Sequence, residues 1–285
     1  MLSESEIRSG SHALIRSLFE GDTPFSVSVS ECNQKEILKC VIQGGFPGLL
    51  DCTNLQDRAY YYRDYLTNQI LHDMKEAWGF RKPSLIEAVI RYSAAFSGKL
   101  LNIKAMGTQF SANWQTLSKH LEALQTMYMV ETLPLWTPNE YEREGKTPKI
   151  FVNDSGLAAY LLGIHSLDAL LNDEKKRADH IGKLMETWVY AQLMVEVDQN
   201  PLWKMYHWRS SNYAEIDFLI ENEKGQMLGI EVKSSETVSE SDFRHLNTFA
   251  KKNPTVDFRG FVFYTGNHVI QCGSMLALPM ASLWV

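Results

Sequence analysis

Three side chains in one short stretch have the types and spacing for phosphoryl chemistry: Asp217, Glu231 and Lys233. They lie in YAEIDFLI (213–220) and IEVKSS (230–235), on either side of a polar run at 222–225. The first segment is rich in β-branched and aromatic residues, and the second carries Leu228, Ile230 and Val232 at alternate positions. With Asn222 to Gly225 supplying turn chemistry, the pattern predicts a β-hairpin. Alternation puts Glu231 and Lys233 on the face opposite the apolar set. If the loop holds an odd number of residues, Asp217 falls opposite Glu231, and two acids and an ammonium converge. Such a set suits a divalent ion, because Mg²⁺ takes one or two carboxylates and fills its shell with water and phosphate oxygens. The ion polarises a phosphoryl group and acidifies bound water, while a lysine beside it orients the water or stabilises developing charge. The same residues also read as a strand-bracketing aspartate and an exposed Glu–Lys pair.

A helix must stand upstream. In IGKLMETWVYAQLMV (181–195), Leu184, Trp188, Ala191 and Val195 form one stripe, and Val189 and Leu193 add a second apolar face. A helix apolar nearly all round is buried, yet Glu186 lies on that second face. A buried carboxylate is costly unless paired, neutralised or coordinating. Glu186 is therefore either a further metal ligand or water-orienting base, or a salt-bridged glutamate with a partner such as Lys183. Downstream, Phe243, Leu246, Phe249 and Ala250 predict a helix over 242–252 that turns Arg244, His245, Lys251 and Lys252 outward. Strands are expected at 205–209, at 260–265 and again at 281–285.

A glutamate on a helix, then an aspartate, then Glu-x-Lys on a hairpin resembles the PD-(D/E)XK nuclease superfamily, although no proline precedes Asp217. The order of helix, strand meander, helix and strand fits that core. The segments QGGFPGLL (43–50), KIFVNDSGLAAYLLG (149–163), HWRSSNYAEIDFLI (207–220) and IEVKSS (230–235) resemble the C-terminal region of a prokaryotic family of AAA-type ATPases. That family ends in a domain of unknown function with this nuclease-like core, and MLSESEI at the start resembles the segment after its ATPase core. The resemblance implies Asp217, Glu231 and Glu186 as metal ligands, Lys233 as activator of the nucleophile, and Mg²⁺ or Mn²⁺ as cofactor. No Gly-x-x-x-x-Gly-Lys-Ser/Thr loop is present, so no ATP site is expected in these residues.

Composition bounds the partners. The 285 residues are 45% hydrophobic and 22% charged, with a formal net charge of −6 at pH 7. That balance fits soluble globular domains and opposes broad electrostatic adhesion to nucleic acid, so any such binding must use local basic patches. The four cysteines have no paired metal spacing or secreted framework. No apolar run reaches membrane-spanning length, and the expected location is cytoplasmic, with no membrane partner.

The remaining residues predict an α/β (α+β) protein in three parts: a helical segment over 1–80, a winged helix over 81–155 and the nuclease-like domain over 156–285. Helices are expected over 7–19, over 34–42 capped by Asn33, and over 55–78. In the winged helix, Ser84 with Glu87 reads as a capping box, Ser111 as the cap of the third helix, and 127–136 with 149–152 as wing strands. The third helix enters the major groove in helix-turn-helix proteins. Its outward set is expected to be Asn113, Gln115, Thr116, Lys119 and His120, suited to base edges. Arg209 either reaches phosphate or pairs with Glu215. The run Lys175, Lys176, Arg177 is a solvated face or a steering patch. The favoured function is metal-dependent phosphodiester hydrolysis on nucleic acid, DNA ahead of RNA. The alternative is a non-catalytic DNA- or protein-binding module, a truncated ATPase relative.

Overall fold

The computed structural model describes residues 14–21, 32–80, 82–143, 145–172 and 177–284. The start of the expected 7–19 helix, Glu144 of the wing, and Lys175 and Lys176 lie outside the described residues. The chain is a mixed α/β protein and divides into two compact units. One takes Lys39–Leu133 and Thr147–Trp188; the other takes the described part of Met1–Leu38 with Pro134–Lys146 and Val189–Val285.

The unit containing Lys39–Leu133 is mainly helical. Asn54 caps the helix Leu55–Asp64 by accepting from the Gln56 N–H. A π-helical stretch, Tyr65–Leu71, continues it into His72–Trp78, which Gly79 ends in the left-handed conformation expected of a helix terminator. The segments QGGF and NDSGL meet at Asp154. Its carboxylate accepts from the Gly45 N–H at 2.6 Å and from the Leu157 N–H at 2.6 Å, which caps the helix Ser155–Leu161. Gly44 has φ +73°, and a Cβ there would stand against the Asp154 carboxylate. Glycine is thus required for both conformation and space.

Helix Pro83–Ala95, strand β1 (Lys99–Leu100), helices Ile103–Phe110 and Trp114–Thr126, and strands β2 (Val130–Leu133) and β3 (Lys149–Val152) follow in the connectivity of a winged helix. The strands pair antiparallel in the order β1-β3-β2. Three local expectations are corrected. Pro83 opens its helix, whose fixed φ suits the first turn, and no side chain caps it. Asn113 rather than Ser111 caps the third helix, accepting from the Thr116 N–H at 2.8 Å. Strand β2 ends at Leu133, before Pro134, which has no N–H for a ladder.

The other unit is built on a six-stranded sheet. Strands β4 (Lys204–Arg209), β5 (Glu215–Glu221) and β6 (Met227–Val232) form an antiparallel meander. Helix Arg244–Lys252 then carries the chain to β7 (Phe258–Tyr264), parallel to β6. Strand β8 (Ile270–Cys272) turns back into β9 (Met275–Pro279), giving the order β4-β5-β6-β7-β9-β8. Phe243, Leu246 and Phe249 press onto Trp208, Leu219, Met227 and Val262. The Phe249 ring meets Trp136, Trp208 and Phe258 at 5.2, 5.2 and 4.7 Å; truncating such a ring to alanine costs about 3–5 kcal/mol. The long helix Arg177–Asp198 gives this unit Leu193 and Val197, both buried, and Tyr190 against Phe218. The expected strand at 281–285 is corrected: Met280–Trp284 is a 3₁₀ turn, and β9 ends one residue before it. Among the described residues no helix is long and apolar enough to cross a membrane.

Candidate functional site

The hairpin loop fixes the site. Glu221 pairs with Met227, leaving 222 to 226 as a loop of five residues. Asn222 organises it, its side-chain oxygen accepting from the Lys224 and Gln226 N–H groups at 3.0 Å each, with Gly225 at φ +74°. The β5–β6 register runs from Glu221↔Met227 to Phe218↔Ile230; Asp217 lies just past it, where the β4–β5 ladder shifts register at a β-bulge.

Oδ2 of Asp217 accepts from the Val232 N–H at 3.0 Å, which pins the carboxylate beside the end of β6. Glu231 is 3% exposed. Its Oε2 accepts from Lys233 Nζ at 3.0 Å, and its Oε1, buried without a hydrogen bond, stands 3.5 Å from Nδ1 of His245. Burial, then the charge of Asp217, raises the Glu231 pKa, against the pull of His245 and Lys233. Burial works against the Lys233 ammonium, but the Glu231 and Asp217 carboxylates outweigh it and raise its pKa. Contact with Glu231 likewise holds the His245 imidazole above its usual value, although burial opposes it. The cluster is two acids and two bases in one partly closed corner, where charge interactions are stronger than in water.

His245 is the member that sequence reasoning missed. The spacing of Phe243, Leu246 and Phe249 set the helix's inner face correctly, and His245 was expected to point outward. Instead it lies at the flank of the apolar stripe, in the first turn of Arg244–Lys252, where the parallel crossover brings it over the end of β6. The clue available in sequence was its place in the helix that follows Glu-x-Lys.

Glu186 has a structural partner. It is buried, and its Oε1 accepts from Lys149 Nζ at 2.8 Å, the lysine side chain being 1% exposed. Gly98, at φ +78°, leaves the room that the Glu186 carboxylate fills. Lys183, the partner considered from spacing, pairs with Asp179 at 3.1 Å instead.

On and before the helix Trp114–Thr126, Asn113, Gln115 and Lys119 are exposed and Thr116 is half-buried. His120 is a correction: it is 4% exposed, its ring stacked on Phe80 at 4.1 Å and its Nδ1 2.7 Å from the Thr116 carbonyl. Arg209 faces Glu215 in the β4–β5 register, with its guanidinium 5.5 Å from the Tyr213 ring centroid.

Among the described residues no group of three or more His, Cys, Asp or Glu side chains is placed to hold a metal ion. The donors at the hairpin nevertheless suit a hard divalent cation that keeps most of its shell as water and phosphate. The buried Oε1 of Glu231, met at 3.5 Å by His245 without a hydrogen bond, is the observation that fits.

Residues 34–168 match the model of one family, Domain of unknown function (DUF8612), and residues 181–283 match another, Domain of unknown function (DUF4143). Two curated relatives, Uncharacterized protein Rv2008c of Mycobacterium tuberculosis and Uncharacterized protein Mb2031c of Mycobacterium bovis, are each 29% identical over 202 residues, 70% of this chain. The match covers 43% of either relative, so the chain spans less than half their length. No solved structure matches it significantly. The stretch similar to the second of these families contains Asp217, Glu231, Lys233 and His245.

Proposed function

We propose that the chain is a metal-dependent phosphodiesterase of the PD-(D/E)XK kind acting on nucleic acid, DNA ahead of RNA. The observation that supports this most is the meeting of Asp217, Glu231 and Lys233 at the end of β6, on a helix–meander–helix–strand core. Asp217 and Glu231 would hold Mg²⁺ or Mn²⁺, which when bound would polarise the phosphoryl group and acidify an attacking water. Lys233, charged throughout the neutral range, would leave Glu231 Oε2 to orient that water or to neutralise charge on the phosphoryl oxygens. The Val232 N–H holds Asp217 in place while this exchange occurs. Glu186 is assigned a structural role, its charge being balanced by Lys149.

The proposal extends to kinship with the C-terminal region of AAA-type ATPases, on the segments quoted above, and assigns these residues no nucleotide chemistry. A second reading, a non-catalytic binding module, draws on one specific observation: Lys233 is closed onto Glu231, an ion pair complete without metal.

Thermal melts with and without Mn²⁺ separate the two. A native-state ligand at 100 times its dissociation constant stabilises by about 2.7 kcal/mol. The nuclease reading expects such a gain for wild type and little for Asp217→Asn, which should also be the more stable of the two without metal. A wild type indifferent to Mn²⁺ would leave the binding-module reading standing.

A further inference from the structure

The turn between β4 and β5 carries a residue that its backbone does not favour. Ser210 N–H donates to the Ala214 carbonyl at 2.8 Å and Tyr213 N–H to the Ser210 carbonyl at 3.1 Å, closing a three-residue loop over 211–213. The Ser210 hydroxyl also accepts from the Ala214 N–H at 3.2 Å. In hairpin loops of this length the third residue adopts the left-handed conformation, a place that glycine normally fills. Here it is Tyr213, at φ +60°. A bulky side chain in that region is a strained outlier that points to function when something else holds it.

What holds it leaves the ring on offer. Tyr213 is 78% exposed, and Arg209 lies over its ring at 5.5 Å. Tyr128 is equally exposed at φ +54°, but it ends the helix Trp114–Thr126, with the Met129 N–H closing onto the Leu124 carbonyl, and this helix-ending turn accounts for its conformation. The hairpin turn sets the backbone of Tyr213 in the same way, but that turn ordinarily takes glycine there, and here the position carries an open ring beside Arg209. Its turn also adjoins the carboxylate site: Arg209 pairs in register with Glu215, the Glu215 main chain accepts from His245, and His245 stands 3.5 Å from Glu231. Arg209 and the open Tyr213 ring are thus presented together beside the candidate site.

We infer that the β4–β5 turn is a strand-binding element, with Tyr213 stacking an unpaired base and Arg209 contacting the adjoining phosphate, so that the ligand is single-stranded nucleic acid or a single-stranded end. The inference rests on the nucleic-acid reading above but not on cleavage. Stacking on an aromatic side chain tolerates any base and is sequence-independent, which suits a turn with few groups to read base edges.

The test is fluorescence anisotropy with a labelled single-stranded oligonucleotide and a duplex of equal length, in EDTA at low salt. Tyr213→Gly should weaken single-strand binding by roughly 5- to 150-fold and change duplex binding far less. It should also raise the melting temperature by about 2–4 °C, because glycine relieves the left-handed residue. Tyr213→Phe should keep the affinity, and Arg209→Gln should lower it and flatten its salt dependence. The assay reads binding in EDTA and not cleavage, so a failed nuclease assignment would leave this result intact. Unchanged single-strand affinity in Tyr213→Gly, an equal loss on duplex, or no binding by wild type would overturn the inference.

Discussion

Replacing Lys233 by methionine removes the cation from the most buried charge in the candidate site and keeps most of the side-chain volume. Glu231 would be left inside with His245, at 3.5 Å, as its cationic neighbour and the Asp217 charge against it. Removing one partner of a fully buried pair costs about 3–5 kcal/mol, and an exposed pair contributes about 0–1 kcal/mol. The Lys233 side chain is 30% exposed and that of Glu231 4%, so solvent screening brings the expected loss to roughly 1.5–3 kcal/mol. The loss must depend on pH. The folded pKa of Glu231 is raised, so its burial penalty is absent below the ordinary carboxylate range and grows as pH rises through that range toward the folded value. Lys233 offsets that penalty and, with its own pKa raised, does so until pH passes its folded value. The deficit of Lys233→Met should therefore be small near pH 4.5 and largest from pH 7 to 9. Glu231→Gln in the same background should recover much of it, as a coupled pair requires. Urea unfolding at four pH values, on both single variants and the double, measures this. A deficit below about 0.5 kcal/mol, or one equal at acid and neutral pH, would refute the idea that Lys233 compensates a buried charge.

Lys149→Met should cost about 3–5 kcal/mol by removing the buried cation that Glu186 accepts from. Glu186→Gln should be destabilising too, yet neither should alter any Mn²⁺-dependent stabilisation; loss of the metal response in Glu186→Gln would return that residue to the ligand set. Glu196 is 2% exposed and accepts from the Ile15 and Arg16 N–H groups. Burial raises its pKa to about 7, only partly opposed by those donors and by the Arg16 charge. A raised carboxylate loses stability as pH climbs from its unfolded value through the folded one, so Glu196→Gln should gain on wild type between pH 5 and 8 in the same unfolding assay. A difference that stays flat with pH would show that the group does not titrate there.

The hairpin was legible because alternation and turn composition act locally: β6 runs through the alternating Leu228, Ile230 and Val232, and the loop at 222–226 holds the turn residues Asn222 and Gly225. The β-bulge that shifts the register at Asp217 left no mark in the alternation. His120 was legible too and was misread. It stands three residues after Leu117 and four before Leu124, which puts it on the apolar stripe of its helix. Lys149 and His245 were not legible, since each owes its role to a residue brought near by tertiary folding: Glu186, 37 positions away, and Glu231, across a parallel crossover. The C-terminal strand was misplaced by a few residues because 275–283 is buried and almost uniformly apolar, and continuous apolar runs do not distinguish strand from helix.

The central assignment is most directly tested by cleavage. Labelled DNA and RNA, each as single strand, duplex and duplex with a single-stranded end, are incubated with the purified chain in Mg²⁺, Mn²⁺ or EDTA and resolved on denaturing gels. If Asp217, Glu231 and Lys233 form a phosphodiesterase site, wild type cuts only with metal, and Asp217→Asn, Glu231→Gln and Lys233→Met each lose about a hundredfold or more in rate. No metal-dependent cleavage of any substrate by wild type, or cleavage that persists undiminished in Asp217→Asn, would contradict it.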